Sequence, residues 1–184
     1  RYLAIRRSIM AYNKNPMYGS NKFDNDGLAQ VLHSDKASEV THTNSTDAAF
    51  LNSYSLPANV LEKGDVIRVK LRASVTGTNS TDTLTPIFKF GGTAIATGAA
   101  LDVADDDVIW VDAEISVTAI GSSGTMTAHS EIRTDAVAGT TVRAATALTS
   151  KDTTAAIALG LEVDWSVANA ANIVRLDSFV VEIL

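Results

Sequence analysis

The residues that could carry chemistry in this chain are few and far apart. Its three histidines, His33, His42 and His129, lack the spacing of a metal-binding motif. Each is expected to be exposed or hydrogen-bonded locally. The chain contains no cysteine, which excludes a disulfide, a thiolate zinc site and a cysteine nucleophile.

Motifs of nucleophilic and phosphate chemistry are also missing. Ser122 and Ser123 lie in a glycine-rich turn that does not match the G-x-S-x-G pattern of a nucleophile elbow. Gly91-Gly92 lacks the lysine and the following helix of a phosphate-binding loop. The chain is therefore predicted not to be an enzyme and to bind no cofactor.

One acidic run could bind a hard cation. Its carboxylates, the ligand type that Ca²⁺ prefers, are Asp102, Asp105, Asp106 and Asp107. The run lacks the ligand spacing and the bidentate glutamate of an EF-hand. We predict a solvated loop here and no metal site.

A row of cations alternates along one predicted strand. Arg68, Lys70 and Arg72 share the face opposite the aliphatic residues. We predict that they pair with Asp112 and Glu114 across a sheet, because opposite charges stabilise neighbouring strands. The less favoured interpretation is that these three cations bind a polyanion.

Length and composition favour one β domain with an appendage. The chain has 184 residues, 46% of them apolar, and is rich in β-branched residues. No apolar run is long enough to cross a membrane, and nothing resembles a signal peptide. Because the sequence starts at Arg1 without a methionine, processing upstream of Arg1 is expected.

Charge is divided unevenly along the chain. Residues 1–22 carry five cations and no acid, whereas the rest carries ten cations and all 21 acids, giving +5 and −11. The acidic body argues against nucleic acid as a direct partner. The basic segment is either a solvated tail or an arm that reaches an acidic surface on a partner or on another copy. Interleaved apolar residues favour the arm: Tyr2, Leu3, Ile5, Ile9, Met10, Tyr12, Met17 and Tyr18.

The remaining sequence reads as a series of strands. The stretch Leu56–Gly92 shows the alternation most clearly, since one face takes Ile67, Val69, Leu71, Ala73 and Val75. Further strands are predicted at Ala48–Leu56, Thr83–Phe90, Thr125–Thr134, Thr140–Leu148, Thr153–Val167 and Ile173–Leu184. Another is predicted to be opened by Asp105-Asp106-Asp107. In that strand the side chains predicted to face the core are Ile109, Val111, Ala113, Ile115 and Val117, whereas Trp110 is predicted to face outward. In Thr153–Val167, the residues Ile157, Leu159, Leu161, Val163, Trp165 and Val167 are predicted to share a face.

About eight strands at regular spacing predict an all-β fold of two antiparallel sheets. A jelly-roll sandwich is the first choice, with an immunoglobulin-like sandwich as the alternative. Residues 1–44 are predicted to form an extended N-terminal arm and residues 45–184 the sandwich domain.

The terminal strand is predicted to be apolar on both faces. Strict alternation places Val174, Leu176 and Val180 on one face and Phe179, Val181 and Ile183 on the other. Such a strand is either central in its sheet under a covering element or buried in a subunit contact. The predicted partner-binding residues are accordingly Arg1, Tyr2, Ile5, Arg6, Arg7 and Tyr12 of the arm, with Phe179, Val181 and Ile183 of this strand.

Several runs resemble a module of tailed-bacteriophage structural proteins. They are LNSYSLPANVL from Leu51, KGDVIRV from Lys63, GTNSTDTL from Gly77, Phe90-Gly91-Gly92, the Trp110 strand and VRLDSF from Val174. The resemblance covers residues 45–184. This part of the chain is similar to the jelly-roll domain of capsid decoration (cement) proteins and of fibre or tail attachments. The shared motifs are characteristic of a fold and not of a catalytic site.

The resemblance implies a trimeric decoration protein on the outer surface of the phage head, with the major capsid protein as its partner. The alternative is a receptor- or glycan-binding head of a fibre or tail protein. A glycan-active enzyme is a third and weaker possibility, since it requires paired carboxylates in a groove.

Overall fold

The computed structural model describes residues 29–36, 41–43, 49–76, 82–102, 107–135 and 140–184. Within these ranges the chain is all-β and contains no helix. Two antiparallel sheets pack face to face as a sandwich.

Twelve strands lie in the described ranges. They are β1 Gln30–Lys36, β2 Thr41–Thr43, β3 Ala49–Leu56, β4 Val66–Thr76, β5 Thr83–Phe90, β6 Thr93–Thr97, β7 Leu101–Asp102, β8 Asp107–Ala119, β9 Gly124–Thr134, β10 Thr141–Lys151, β11 Ile157–Trp165 and β12 Ile173–Ile183.

The strand order identifies the type of sandwich. The seven-stranded sheet runs β1-β12-β4-β8-β9-β10, with β2 also on β12, and the five-stranded sheet runs β3-β11-β5-β6, with β7 on β5. The pairs are nested: β1 with β12, β3 with β11, β4 with β8 and β5 with β6, alternating between the two sheets. This is jelly-roll order, extended at one edge by β9 and β10. The predicted jelly roll is confirmed in preference to the immunoglobulin-like alternative.

The core lies between the inner faces of the two sheets. In β4 the predicted aliphatic face is confirmed, because Ile67, Val69 and Ala73 are fully buried and Leu71 and Val75 nearly so. Along β8 the inward residues from Ile109 to Val117 are buried in the same alternation. Period-two patterning thus determined which face of each strand entered the core.

A bulge in β12 overturns the prediction of two apolar faces. Leu176 pairs with Ala73 and Ser178 with Arg72, so Asp177 is an extra residue in this strand. Its carboxylate turns outward, where it accepts a hydrogen bond from Ser74 Oγ at 3.1 Å and lies 3.6 Å from Arg72 Nε.

The bulge shifts the alternation of every residue after it. Phe179, Val181 and Ile183 therefore face the core together with Val174 and Leu176, and all five are buried. Val180 is only half-buried and lies opposite Lys70 on the outer face. The strand has one apolar face, so its sequence no longer argues for a partner surface there.

Part of the predicted arm belongs to the sandwich. Within residues 1–44, β1 pairs along β12 from Gln30 with Ile183 to Lys36 with Ser178, and β2 pairs with β12 ahead of it. A boundary at residue 44 is therefore wrong for these two strands. Residues 1–28 lie outside the described ranges.

The prediction for β11 is confirmed except at its end. Ile157, Leu159, Leu161, Val163 and Trp165 are buried, whereas Val167 is 45% exposed. The strand ends at Trp165, so Val167 lies in the following turn and the period of two no longer applies to it.

Candidate functional site

The outer face of the seven-stranded sheet carries an ordered set of charges. Antiparallel register places Arg68 opposite Glu114, Lys70 opposite Asp112, Asp112 opposite Glu131, Glu114 opposite His129 and Glu131 opposite Arg143. These positions alternate with core positions along β4, β8, β9 and β10, so all of the side chains stand on the solvent side.

The predicted pairing of the cationic row is confirmed at one position. Arg68 Nη2 lies 3.2 Å from Glu114 Oε1. Lys70 lies opposite Asp112, but the Asp112 carboxylate accepts from Arg133 Nη2 at 2.8 Å. Cross-strand charge patterning therefore predicts the face, while competition among neighbours decides the individual pairs.

A second set of ion pairs centres on Glu131 of β9, with one partner on the same strand and one on β10. Glu131 binds two guanidinium groups, Arg133 at 2.9 Å and Arg143 at 2.5 Å. Both arginines are substantially exposed, so each pair contributes little to stability by itself. Together they hold the carboxylate in a fixed position on the sheet.

Trp110 faces outward, as predicted, but its ring is shared with a cation. The Arg72 guanidinium carbon lies 5.9 Å from the ring centroid, and Trp110 is half-buried. Arg72 also forms an ion pair with Asp177 of the β12 bulge. Trp110 is therefore not a bare aromatic platform.

The charged side chains of β4, β8, β9 and β10 line an open hollow of about 530 Å³ on the outer face of the sheet. Three cations and three acids line it, Arg68, Lys70, Arg143, Asp112, Glu114 and Glu131, together with His129. Lys70 and His129 make no hydrogen bond or ion pair with any described residue. The neighbouring Arg133 also pairs with Asp112 and Glu131, so Lys70 and His129 are the ionisable lining residues that have no partner among the described residues.

The hollow was not predicted from the sequence. The cationic row was predicted to form only cross-strand ion pairs, and each histidine was predicted to be exposed or hydrogen-bonded locally. The available signal was the alternation of opposite charges on the outward positions of consecutive predicted strands, read with His129.

One of the three histidines differs from the environment predicted for it. His129 is exposed, as predicted, whereas the side chain of His42 is not described. The prediction for His33 is wrong, because its Nε2 is buried without a hydrogen-bond partner among the described residues. Its ring stacks on Tyr54 at 4.8 Å and meets Phe179 edge-on at 5.1 Å.

The remaining predicted site residues fall into two groups. The arm residues Arg1, Tyr2, Ile5, Arg6, Arg7 and Tyr12 lie outside the described ranges. Phe179, Val181 and Ile183 lie in the core of the sandwich.

Among the described residues, no group of three or more His, Asp or Glu side chains is arranged to hold a metal ion. Of the acidic run, Asp105 and Asp106 lie outside the described ranges. No helix suited to spanning a membrane occurs in the described structure.

Comparison with known proteins gave only distant structural likenesses. No family model and no curated protein matches the sequence. Among solved structures, the chain is similar to the infectious bursal disease virus VP2 subviral particle at 11% identity and a TM-score of 0.37, covering 85% of this chain and 32% of that one. The chain thus spans about a third of the length of VP2.

Two further structures were matched. The CBM2 module of Lactobacillus casei BL23 phage J-1 evolved Dit matches at 15% identity and a TM-score of 0.32, over 71% of this chain and 67% of that one. Lectin UEA-II complexed with galactose matches at 11% identity and a TM-score of 0.29, over 85% and 91%. With TM-scores this low, none of these likenesses carries an argument about what the chain does.

Proposed function

We propose that this chain is a virion structural protein that binds the outer surface of a phage head as a decoration (cement) protein. The observation that supports this proposal is the position of the phage-like motif in the fold. The motif from Leu51 to Val69 spans β3, the crossover between the two sheets and the start of β4.

The motif residues occupy positions that need their residue types. Leu56 and Leu61 anchor the two ends of the crossover in the core, at 1% and 4% exposure. Asn59 has a φ of +59° and Gly64 a φ of +100°, conformations that asparagine and glycine tolerate best. Asp65 Oδ2 accepts a hydrogen bond from the Glu62 amide at 2.8 Å. The residue types of the phage-like motif are therefore those that this crossover requires, which ties the motif to the fold.

The basic segment supplies the attachment in this proposal. Residues 1–22 carry a net charge of +5, whereas the remaining chain carries −11. An acidic shell surface would attract the segment and repel the body, so the segment would set the orientation of docking. Oligomerisation, as in the trimer that the resemblance implies, would raise the effective affinity by multivalency.

The test is loading of the purified protein onto undecorated phage shells, followed by sedimentation and quantification of bound protein. We expect the full chain to load, and a variant lacking residues 1–22 to lose most binding. The control removes two exposed cations of the body, Lys63→Gln and Arg175→Gln, and should load normally. Failure of the full chain to load would overturn the decoration role, and normal loading of the trimmed chain would overturn the role of the segment.

The hollow on the outer sheet face favours a second candidate, binding of a neutral glycan. Its lining offers both hydrogen-bond donors and acceptors, including Lys70 and His129, which suits a hydroxyl-rich ligand. Its volume of about 530 Å³ lies within the range of small-ligand sites. In this candidate the chain would be a receptor-binding head on a fibre or tail.

The glycan candidate is tested on an array of neutral oligosaccharides. Lys70→Ala and His129→Ala should each weaken any binding at least tenfold, whereas Thr97→Ala, on the other sheet, should not. Binding unaffected by both substitutions would exclude the hollow. Copy number in purified particles separates the two functions, since a decoration protein should approach the copy number of the major capsid protein.

A further inference from the structure

We propose that β10 is an association edge through which two copies of this chain pair their seven-stranded sheets. β10 is the last strand on its side of that sheet. Only β9 pairs with it among the described strands, so one row of main-chain donors and acceptors along its 11 residues has no described strand partner. Such a row is a template for a further strand.

β10 carries few of the features by which edge strands usually avoid pairing, since its one register shift against β9, between Leu148 and Lys151, lies at its end. From Thr141 to Leu148 its register with β9 is unbroken, and the strand contains no proline. Its cations, Arg143 and Lys151, lie near the two ends, so the stretch Ala144–Ser150 is uncharged. The outward side chains at its centre, Ala145 and Ala147, are small and exposed, and leave the edge sterically open.

The other edges of the sandwich differ from β10. The edge strand β6 has five residues and a register shift against β5, and β3 carries a shift against β11. β1 is shorter than β10, is shifted between Val31 and His33, and ends in charged residues. Short length, bulges and charge are the usual protections of an edge. β10 is the longest of these four strands, and its register shift lies beyond the unbroken stretch Thr141–Leu148.

The β10 sequence is compatible with pairing against itself. In an antiparallel pair centred on Ala145, that residue meets its own copy, Arg143 faces Ala147, and Val142 faces Leu148 on the inner side. No two like charges stand opposite each other, and the apolar residues of the inner face are matched. An antiparallel pairing of identical strands is a twofold contact, the commonest symmetry of homo-oligomers.

This contact predicts a dimer in place of the trimer that the phage resemblance implies. It depends only on the sheet edge, and so it holds whether the chain decorates a shell or binds a glycan. Failure of the shell-loading test would therefore leave it untouched.

The absence of cysteine allows a clean cross-linking test in the full chain. Ala145→Cys should give disulfide-linked dimers under mild oxidation, because facing residues across the twofold axis come within disulfide range. The control is Thr127→Cys on β9, which lies opposite Ala147 on the same face and one strand inward. It should cross-link at least tenfold more slowly.

The mass of the unmodified chain is measured in parallel by light scattering over a concentration series. Ala145→Lys should raise the dimer dissociation constant at least tenfold, because two ammonium groups would face each other, whereas Thr127→Lys should not. Circular dichroism establishes that each variant is folded. A monomeric or trimeric mass, or cross-linking of Cys at position 127 as fast as at position 145, would overturn the proposal.

Discussion

Replacing Phe179 tests the β12 bulge, on which the assignment of the terminal strand depends. The Phe179 side chain is fully buried and meets the ring of His33 edge-on. Phe179→Ala should cost about 4 kcal/mol of unfolding free energy, from lost burial, a cavity and a lost aromatic contact. For a chain of this size, that corresponds to a drop in Tm of about 8 to 16 °C.

The matched control is Val180→Ala on the next residue. Val180 is half-buried on the outer face opposite Lys70, so its replacement should cost about 1 kcal/mol or less. Urea unfolding followed by circular dichroism measures both variants, and an unchanged m-value establishes that midpoints can be compared as stabilities.

The result that would refute the bulge is a reversal of the two costs. Without Asp177 as an extra residue, strict alternation would place Val180 in the core and Phe179 outside it. Val180→Ala would then be the more damaging change. Equal small costs would also contradict the packing described for β12.

Three further results are expected. Gly124→Ala should destabilise the fold by about 1 to 3 kcal/mol, because a Cβ there would lie 2.6 Å from the Lys151 carbonyl oxygen. The control Gly92→Ala should cost about 1 kcal/mol, because its Cβ meets no atom within 4 Å but its φ is +75°. Equal costs of the two variants in urea unfolding would contradict the clash at Gly124. Glu162 is 8% exposed, and its carboxylate lies 2.5 Å from Lys89 Nζ. Lys89→Met alone should cost about 2 to 3 kcal/mol by leaving that carboxylate unpaired, whereas the double variant with Glu162→Met should recover most of this stability. No recovery would show that loss of the ion pair is not the cause. Burial lowers the pKa of Lys151 from its ordinary value of 10.5, so the folded state favours its neutral form and the contribution of this group to stability should rise with pH between the lowered pKa and 10.5; a ¹³Cε titration midpoint equal to those of the other lysines would contradict this.

The fold could be predicted from the sequence because period two is a local property. In β4, β8 and β9, buried and more exposed residues alternate over most of the strand, so the buried face can be predicted from the sequence of each strand alone. The jelly-roll order depended on the number and spacing of strands together with the phage-like motif. Neither source indicates which edge receives the extra hairpin β9–β10.

The predictions that were wrong share a cause. The bulge at Asp177 and the end of β11 before Val167 each break the period at one residue, and a pattern read along one strand contains no sign of the break. Pairing of β1 with β12 joins segments that are remote in sequence, so local composition could not reveal it. The hollow around Lys70 and His129 was missed for a similar reason, since its residues come from four strands.

The position of β12 has a consequence for how the molecule reaches its native state. β12 follows all the other strands in sequence, yet it lies inside the seven-stranded sheet, between β4 on one side and β1 and β2 on the other. Until β12 is inserted, β1 and β2 therefore stay separate from the part of the sheet formed by β4, β8, β9 and β10, and insertion joins residues about 150 positions apart. Closing so long a loop makes folding slow, since non-local pairs must form before they stabilise one another. During synthesis, β1 and β2 therefore emerge well before β12, the strand with which they pair.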